Sequence, residues 1–118
     1  MPKKFIKSFK YAQAGAKHAL STQRNMWIHL VIGLIVLGVG GWLRLSTVEM
    51  AVLALTVALV LMAEFFNTAL EELVNLVEPN VHPVAGLIKN ISAGAVLIAS
   101  VGALVVGLVI FIPRLFNV

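Results

Sequence analysis

A chain of 118 residues and 12.7 kDa has room for one small domain, yet 60% of it is hydrophobic, only 12% is charged and its mean hydropathy is +1.00. That excludes a disordered chain, and a soluble domain of this size could not hide so much apolar surface, so a bilayer is the expected solvent. The net charge is +4, and with no cysteine there is no thiolate nucleophile, disulfide or thiolate metal site; a metal would need oxygen or imidazole ligands, and oxygen favours magnesium or a similar hard ion.

Five lysines, Lys3, Lys4, Lys7, Lys10 and Lys17, crowd the first seventeen residues. Phe5, Phe9, Ala12 and Ala16 share one helical stripe between them, which predicts an amphipathic helix over 1–22 lying on the membrane. Lysines gathered in one segment suit a membrane surface better than nucleic acid, so no nucleic-acid partner is expected. The segment lacks the apolar core and small-residue cleavage site of a secretory signal and is expected to be retained. It is a topology anchor or a contributor to a site.

Nineteen residues between Arg24 and Arg44 carry no acid or base except His29. At about 1.5 Å per residue they can cross a hydrocarbon core of about 30 Å, predicting a first membrane helix over 25–44 with Trp27 and Trp42 as interfacial aromatics. Arg24 and Asn25 either steady phosphates or cap this helix. His29 is either a hydrogen-bonded structural residue or part of an interfacial site. His18, beside Lys17, reads as solvated among headgroups.

After a short polar hinge, Ser46 or Thr47 can cap a second helix over 48–77, whose apolar body meets its first acid at Glu64 and whose end falls before Pro79 and Pro83. Residues 78–90 read as a loop, and an uncharged run then predicts a third membrane helix over 91–113, with Ala95, Ala99, Ala103 and Gly107 as a small-residue packing stripe. Three crossings put Lys3, Lys4, Lys7, Lys10, Lys17, Arg24 and Lys89 on one side and Arg44 and Arg114 on the other. The amino terminus and the loop around Lys89 are therefore expected to be cytoplasmic and the carboxyl terminus outside. The expectation is one all-α membrane domain over 1–118.

The chemistry gathers on the second membrane helix. At about 100° per residue, Glu64, Asn67, Glu71 and Asn75 fall at roughly 0°, 300°, 340° and 20°, one narrow polar stripe, with Glu72 further round. A carboxylate at the edge of the apolar zone must face a partner, a metal or a water-filled cavity rather than lipid. The bland reading is a stripe that bonds a neighbouring helix. Two like charges on one face, however, call for a cation or a proton between them. Two carboxylates, a lysine on the facing loop and no thiol suit phosphoryl transfer, with one acid as proton acceptor, another near magnesium and the lysine on a phosphate. No GxxxxGK[ST] loop is present, and Gly38, Gly40 and Gly41 lie inside an apolar span.

The run Glu64-Phe-Phe-Asn67-Thr68-Ala-Leu-Glu71, then His82-Pro83, Lys89 and Ser92-Ala-Gly-Ala-Val-Leu, resembles the prokaryotic diacylglycerol kinase and undecaprenol kinase family. The likeness reaches upstream through Tyr11-Ala-x-x-Gly15 and Arg24-Asn25-x-x-Ile28-His29 and covers residues 5 to 113. It implies a homotrimer with sites shared between subunits, in a bacterial inner membrane, taking ATP with magnesium and a membrane lipid alcohol. By the same likeness Glu64 is the general base on the lipid hydroxyl, with Asn67 orienting the site and both touching the lipid. Glu71 and Gln23 are implied as metal ligands, and Tyr11, Gly15, Gln23, His82, Lys89 and Asn90 as the nucleotide's neighbours. Asn67-Thr68 and His82-Pro83 look closer to the undecaprenol kinases.

This chain departs from the family pattern where Gln23, Asn75, Asn80 and Asn90 stand in place of frequent acids, and where Trp27 and Gly86 replace frequent basic residues. An amide keeps an oxygen for a cation but loses its charge. The expected function is therefore lipid phosphorylation, with a weakened or inactive membrane scaffold as the alternative and a small proton-coupled transporter as a third reading.

Overall fold

Long uncharged runs force every backbone amide to bond within its own segment once water is removed, so this sequence has only helices open to it. The computed structural model, which describes residues 2–117, is built accordingly: α1 (Pro2–Thr22), α2 (Arg24–Trp42), α3 (Thr47–Val77) and α4 (Pro83–Phe116). Residues 1 and 118 of the expected domain lie outside that range. Three of the helices, α2, α3 and α4, are long and apolar enough to cross a membrane.

Local chemistry sets the joints. α2 ends in a Schellman motif, in which the Arg44 N–H bonds the Gly41 carbonyl and the Leu45 N–H bonds the Gly40 carbonyl, with Arg44 left-handed at φ 56°. α3 opens on a full capping box: the Ser46 hydroxyl accepts from the Glu49 N–H, and the Glu49 carboxylate accepts from the Ser46 N–H. Glu49 also receives Arg114 at 2.6 Å, tying the far ends of α3 and α4 together.

The expected loop over 78–90 is corrected to 78–82, because α4 starts at Pro83 and not at residue 91. Proline ends a helix that precedes it, yet at the first helical position its missing N–H costs nothing and its fixed φ favours the turn. Pro113, expected to close α4, instead sits inside its last stretch, which runs on to Phe116.

α3 is the spine. α2 and α4 pack along it and α1 leans on its far end, whereas α2 and α4 make no close approach to each other, nor do α1 and α4, among the described residues. Leu45, Leu53 and Ile110 form the buried core between α2, α3 and α4 at the end opposite the acids. α2 lies close to α3 at two glycines: a Cβ on Gly33 would meet Val57 at 2.6 Å, and one on Gly40 would meet Met50 at 2.9 Å.

Candidate functional site

Counting about 1.5 Å per residue from Thr47, Glu64 lies about 26 Å along α3, Asn67 about 30 Å and Glu71 about 36 Å. Ser46, Glu49 and Arg114 mark the opposite interface, so a hydrocarbon slab of about 30 Å ends close to Asn67. Glu64 is thus just inside the apolar layer and Glu71 just beyond it.

The polar stripe is buried at Glu64, half-buried at Asn67 and Glu71 and exposed at Asn75. Glu64 is 2% exposed, and Thr68 and Ser92 beside it are buried as well. His29 of α2 reaches Glu64, Nε2 to Oε1 at 3.1 Å. That approach is off the line of an N–H···O bond, so Oε1 is buried with no hydrogen-bond donor. Thr68 spends its hydroxyl on the Glu64 carbonyl rather than on the carboxylate.

One turn on, α4 takes over. The Ser92 hydroxyl donates to Asn67 Oδ1 at 2.8 Å, and Asn67 Nδ2 in turn faces Glu71 Oε1 at 3.5 Å. An ionised carboxylate can only accept, so the Asn67 amide turns its NH₂ to Glu71 and leaves Oδ1 for the Ser92 hydroxyl. Lys89 Nζ donates to Asn75 Oδ1 at 2.6 Å. Its partner there is a neutral amide, so the lysine keeps its full charge for an anion.

Glu64, Asn67, Glu71, Asn75 and Lys89 therefore stand together on one flank of α3, joined by His29 and Ser92. His82 is the N-cap of α4, its Nδ1 accepting from the Val84 N–H at 3.1 Å. Asn90 is exposed and makes no side-chain hydrogen bond among the described residues. Gln23 occupies the N-cap position of α2 without a side-chain cap bond, so neither Arg24 nor Asn25 caps that helix. Asn80 lies in the 78–82 turn, where its N–H bonds the Glu78 carboxylate.

Tyr11 and Gly15 sit elsewhere. Gly15 lines a cleft of about 580 Å³ against Phe65, Thr68 and Glu72, round α3 from the acidic stripe, and Tyr11 is exposed. There His18 meets Glu72 at 3.3 Å, so this histidine has a partner rather than being merely solvated.

Of the stripe's two partners, sequence leaves His29 between a structural and a site role and gives Ser92 no role. His29 carried a signal, being the one ionisable residue within an apolar span, but its mate depended on how α2 crosses α3. Ser92 carried one only as the first residue of the Ser92-Ala-Gly-Ala-Val-Leu run in the family likeness, which gave it no role of its own.

The donor set bears on magnesium. Among the described residues no three histidines or acids cluster as a resident metal site would need. Seven residues separate Glu64 from Glu71, about 10 Å along the axis, so one ion cannot bind both directly. The Glu71 carboxylate does fit as a single ligand for an ion that arrives already on phosphates and keeps several waters, since the oxygens of Asn67 and Asn75 are taken by Ser92 and Lys89.

Acids, amides and a lysine thus gather at one end of an all-helical bundle, three of whose helices are long and apolar enough to cross a membrane. Residues 10–111 match the family model for prokaryotic diacylglycerol kinase. The chain is 43% identical over 111 residues to a diacylglycerol kinase of Synechocystis, an alignment covering 93% of this chain and 63% of that protein. It is 35% identical over 112 residues to an undecaprenol kinase of Bacillus subtilis, covering 95% of this chain and 91% of that one. The chain spans less than two thirds of the Synechocystis relative's length. It belongs to the prokaryotic diacylglycerol kinase family, a family of bacterial membrane lipid kinases.

Proposed function

We propose that this chain moves the terminal phosphate of ATP onto the hydroxyl of a membrane lipid alcohol, undecaprenol in preference to diacylglycerol. The observation that carries the reading is Glu64, a carboxylate held inward at the edge of the apolar layer with one oxygen free to accept. A lipid alcohol reaches that depth by sliding laterally, while ATP approaches from water at the level of Glu71 and Lys89. Neither substrate has to leave its own phase.

Glu64 takes the hydroxyl proton as the alcohol oxygen bonds to the γ-phosphorus, and the bond from that phosphorus to the β-phosphate oxygen breaks, its electron pair leaving on ADP. Magnesium on the nucleotide would neutralise charge on the phosphates, with Glu71 as its protein ligand and Gln23 as a further oxygen. Asn67 holds the Glu71 carboxylate in place, and Lys89 binds the transferred phosphate. Asn90, exposed beside Lys89, and His82, whose Nδ1 caps α4, are assigned to the nucleotide on the family likeness.

The excess of lysine on α1 and at Lys89 supports a cytoplasmic amino terminus and an outer carboxyl terminus. Tyr11 and Gly15 lie round α3 from the acids within one chain, which supports a homotrimer whose sites take α1 from a neighbour.

Transfer of label from ATP to undecaprenol or diacylglycerol in micelles tests the reading. Glu64→Gln should lower kcat by about 10²- to 10⁴-fold, the usual worth of a general base, while preserving helicity and assembly. Parental turnover in that variant would remove the assigned base. Absence of turnover in the parent chain with both lipids at high magnesium would favour an inactive scaffold with Asn75 and Asn90 as its lost acids.

A further inference from the structure

A base buried as deeply as Glu64 has a second task that the reaction alone does not solve. After each turnover it holds the alcohol's proton at 2% exposure, and it must release that proton before it can act again. An ionised or proton-loaded group in an apolar layer exchanges slowly with water unless another titratable group bridges the two.

The structure offers one such group. His29 Nε2 is 3.1 Å from Glu64 Oε1, and it is the one basic side chain within ion-pair distance of that carboxylate among the described residues. The pair is graded in exposure, 23% for the histidine side chain against 3% for the glutamate. His29 lies five residues from Arg24, about 7.5 Å along α2, which is the depth of the headgroup layer. No hydrogen bond spans its contact with Glu64, so the buried carboxylate oxygen Oε1 has the imidazole as its nearest basic neighbour and no donor of its own.

Resting on the reading of Glu64 as base, we propose that His29 is the proton outlet and positioning residue of the site. It accepts the proton from Glu64 at Nε2 and gives one up from Nδ1 to water, and exchange with water then returns the remaining proton from Nε2 to Nδ1 so that the ring can accept again. The first transfer breaks the Glu64 O–H bond and forms an N–H bond; the second returns the ring to neutrality. Neither needs a redox partner or a further reactant. His29 does not touch the phosphate, so its loss should be felt in kcat and not in substrate affinity.

The test uses the full chain in micelles with labelled ATP and either lipid. His29→Gln and His29→Gly should lower kcat about tenfold or more with KM for ATP and lipid little changed. The groove of about 450 Å³ that His29 lines between α2, α3 and α4 admits a small azole, so imidazole should restore kcat in His29→Gly. Pyrazole has the same size and is far less basic, and it should not; equal rescue by both would mean that the ring only fills space, and would overturn the inference. So would parental kcat in either variant, or a loss that imidazole leaves unrelieved in protein of parental helicity. Parental turnover in Glu64→Gln would overturn the base assignment and this inference together, whereas loss there with parental turnover in His29→Gln would overturn the outlet alone. Independently of turnover, the ¹⁵N signals of the His29 ring should move in Glu64→Gln, and unmoved signals would refute the coupling.

Discussion

At the scale of single residues, the decisive feature is how amides are used beside the acids. Asn67 has one oxygen and one NH₂ group, and with Ser92 holding the side chain on one side and Glu71 on the other, a flip would set the amide oxygen against the carboxylate and lose that bond. The Glu71 carboxylate then faces a donor rather than a second acceptor. Ser92→Ala should release that constraint at a cost of about 1 kcal/mol, the worth of one hydrogen bond, and raise the magnesium concentration needed for half-maximal turnover by roughly fivefold. Glu71→Gln should raise it further. A magnesium titration of lipid phosphorylation in the three proteins decides it: unchanged dependence in Glu71→Gln removes Glu71 from the metal, and unchanged dependence in Ser92→Ala alone breaks only the relay. The stripe itself is legible in the sequence, because 100° per residue places Glu64, Asn67, Glu71 and Asn75 together whatever surrounds them. Its partners are not legible. Nothing along the chain relates Ser92 to Asn67 or His29 to Glu64 until the crossing of two helices is fixed, and crossing depends on side-chain interdigitation that periodicity does not encode.

At the scale of helices, the α2–α3 contact depends on glycine in a way that α2's composition hides. Gly33, Gly38, Gly40 and Gly41 look alike in a run of apolar residues, yet only Gly33 and Gly40 are pressed against α3. At Gly33 the opposing atom belongs to Val57, a β-branched side chain with essentially one rotamer in a helix, so it cannot swing aside. Gly33→Ala should therefore cost about 1–3 kcal/mol through overpacking, despite alanine's better helix propensity. Gly38→Ala, which meets nothing within 4 Å, should be neutral or slightly stabilising. Thermal unfolding in micelles measures both, and adding Val57→Ala should recover most of the Gly33→Ala loss. Equal midpoints for the two alanine variants would mean that α2 does not approach α3 this closely. Helix existence is legible from hydropathy for the same reason that packing is not: burial in lipid needs only a long apolar run, while contact needs a particular face. The start of α4 shows the limit, since Pro83 is a breaker for the helix before it and a favoured first residue for the helix after it.

At the scale of the whole molecule, the arrangement around α3 leaves one chain with an incomplete set of the residues the family likeness brings together. Asn67 and Asn75 are reached by Ser92 and Lys89 of α4 and Glu64 by His29 of α2, whereas Gly15 faces Phe65, Thr68 and Glu72 further round the helix. α1 and α4 make no close approach among the described residues, so a nucleotide touching both Lys89 and Gly15 of the same chain would have to reach around α3. Rotation about a symmetry axis removes the difficulty, because the α1 of one copy can be carried to the α4 flank of the next. Mixing two disabled subunits tests this directly. Gly15→Leu fills the α1 surface and Glu64→Gln removes the base, and each homo-oligomer should be inactive. If each site draws α1 from a neighbour, mixed oligomers contain sites in which an intact α1 from the Glu64→Gln chain meets an intact Glu64 from the Gly15→Leu chain, and turnover returns on co-assembly. If every site is built within one chain, no chain in the mixture holds both intact elements, so activity stays at the level of the two variants alone whatever their ratio.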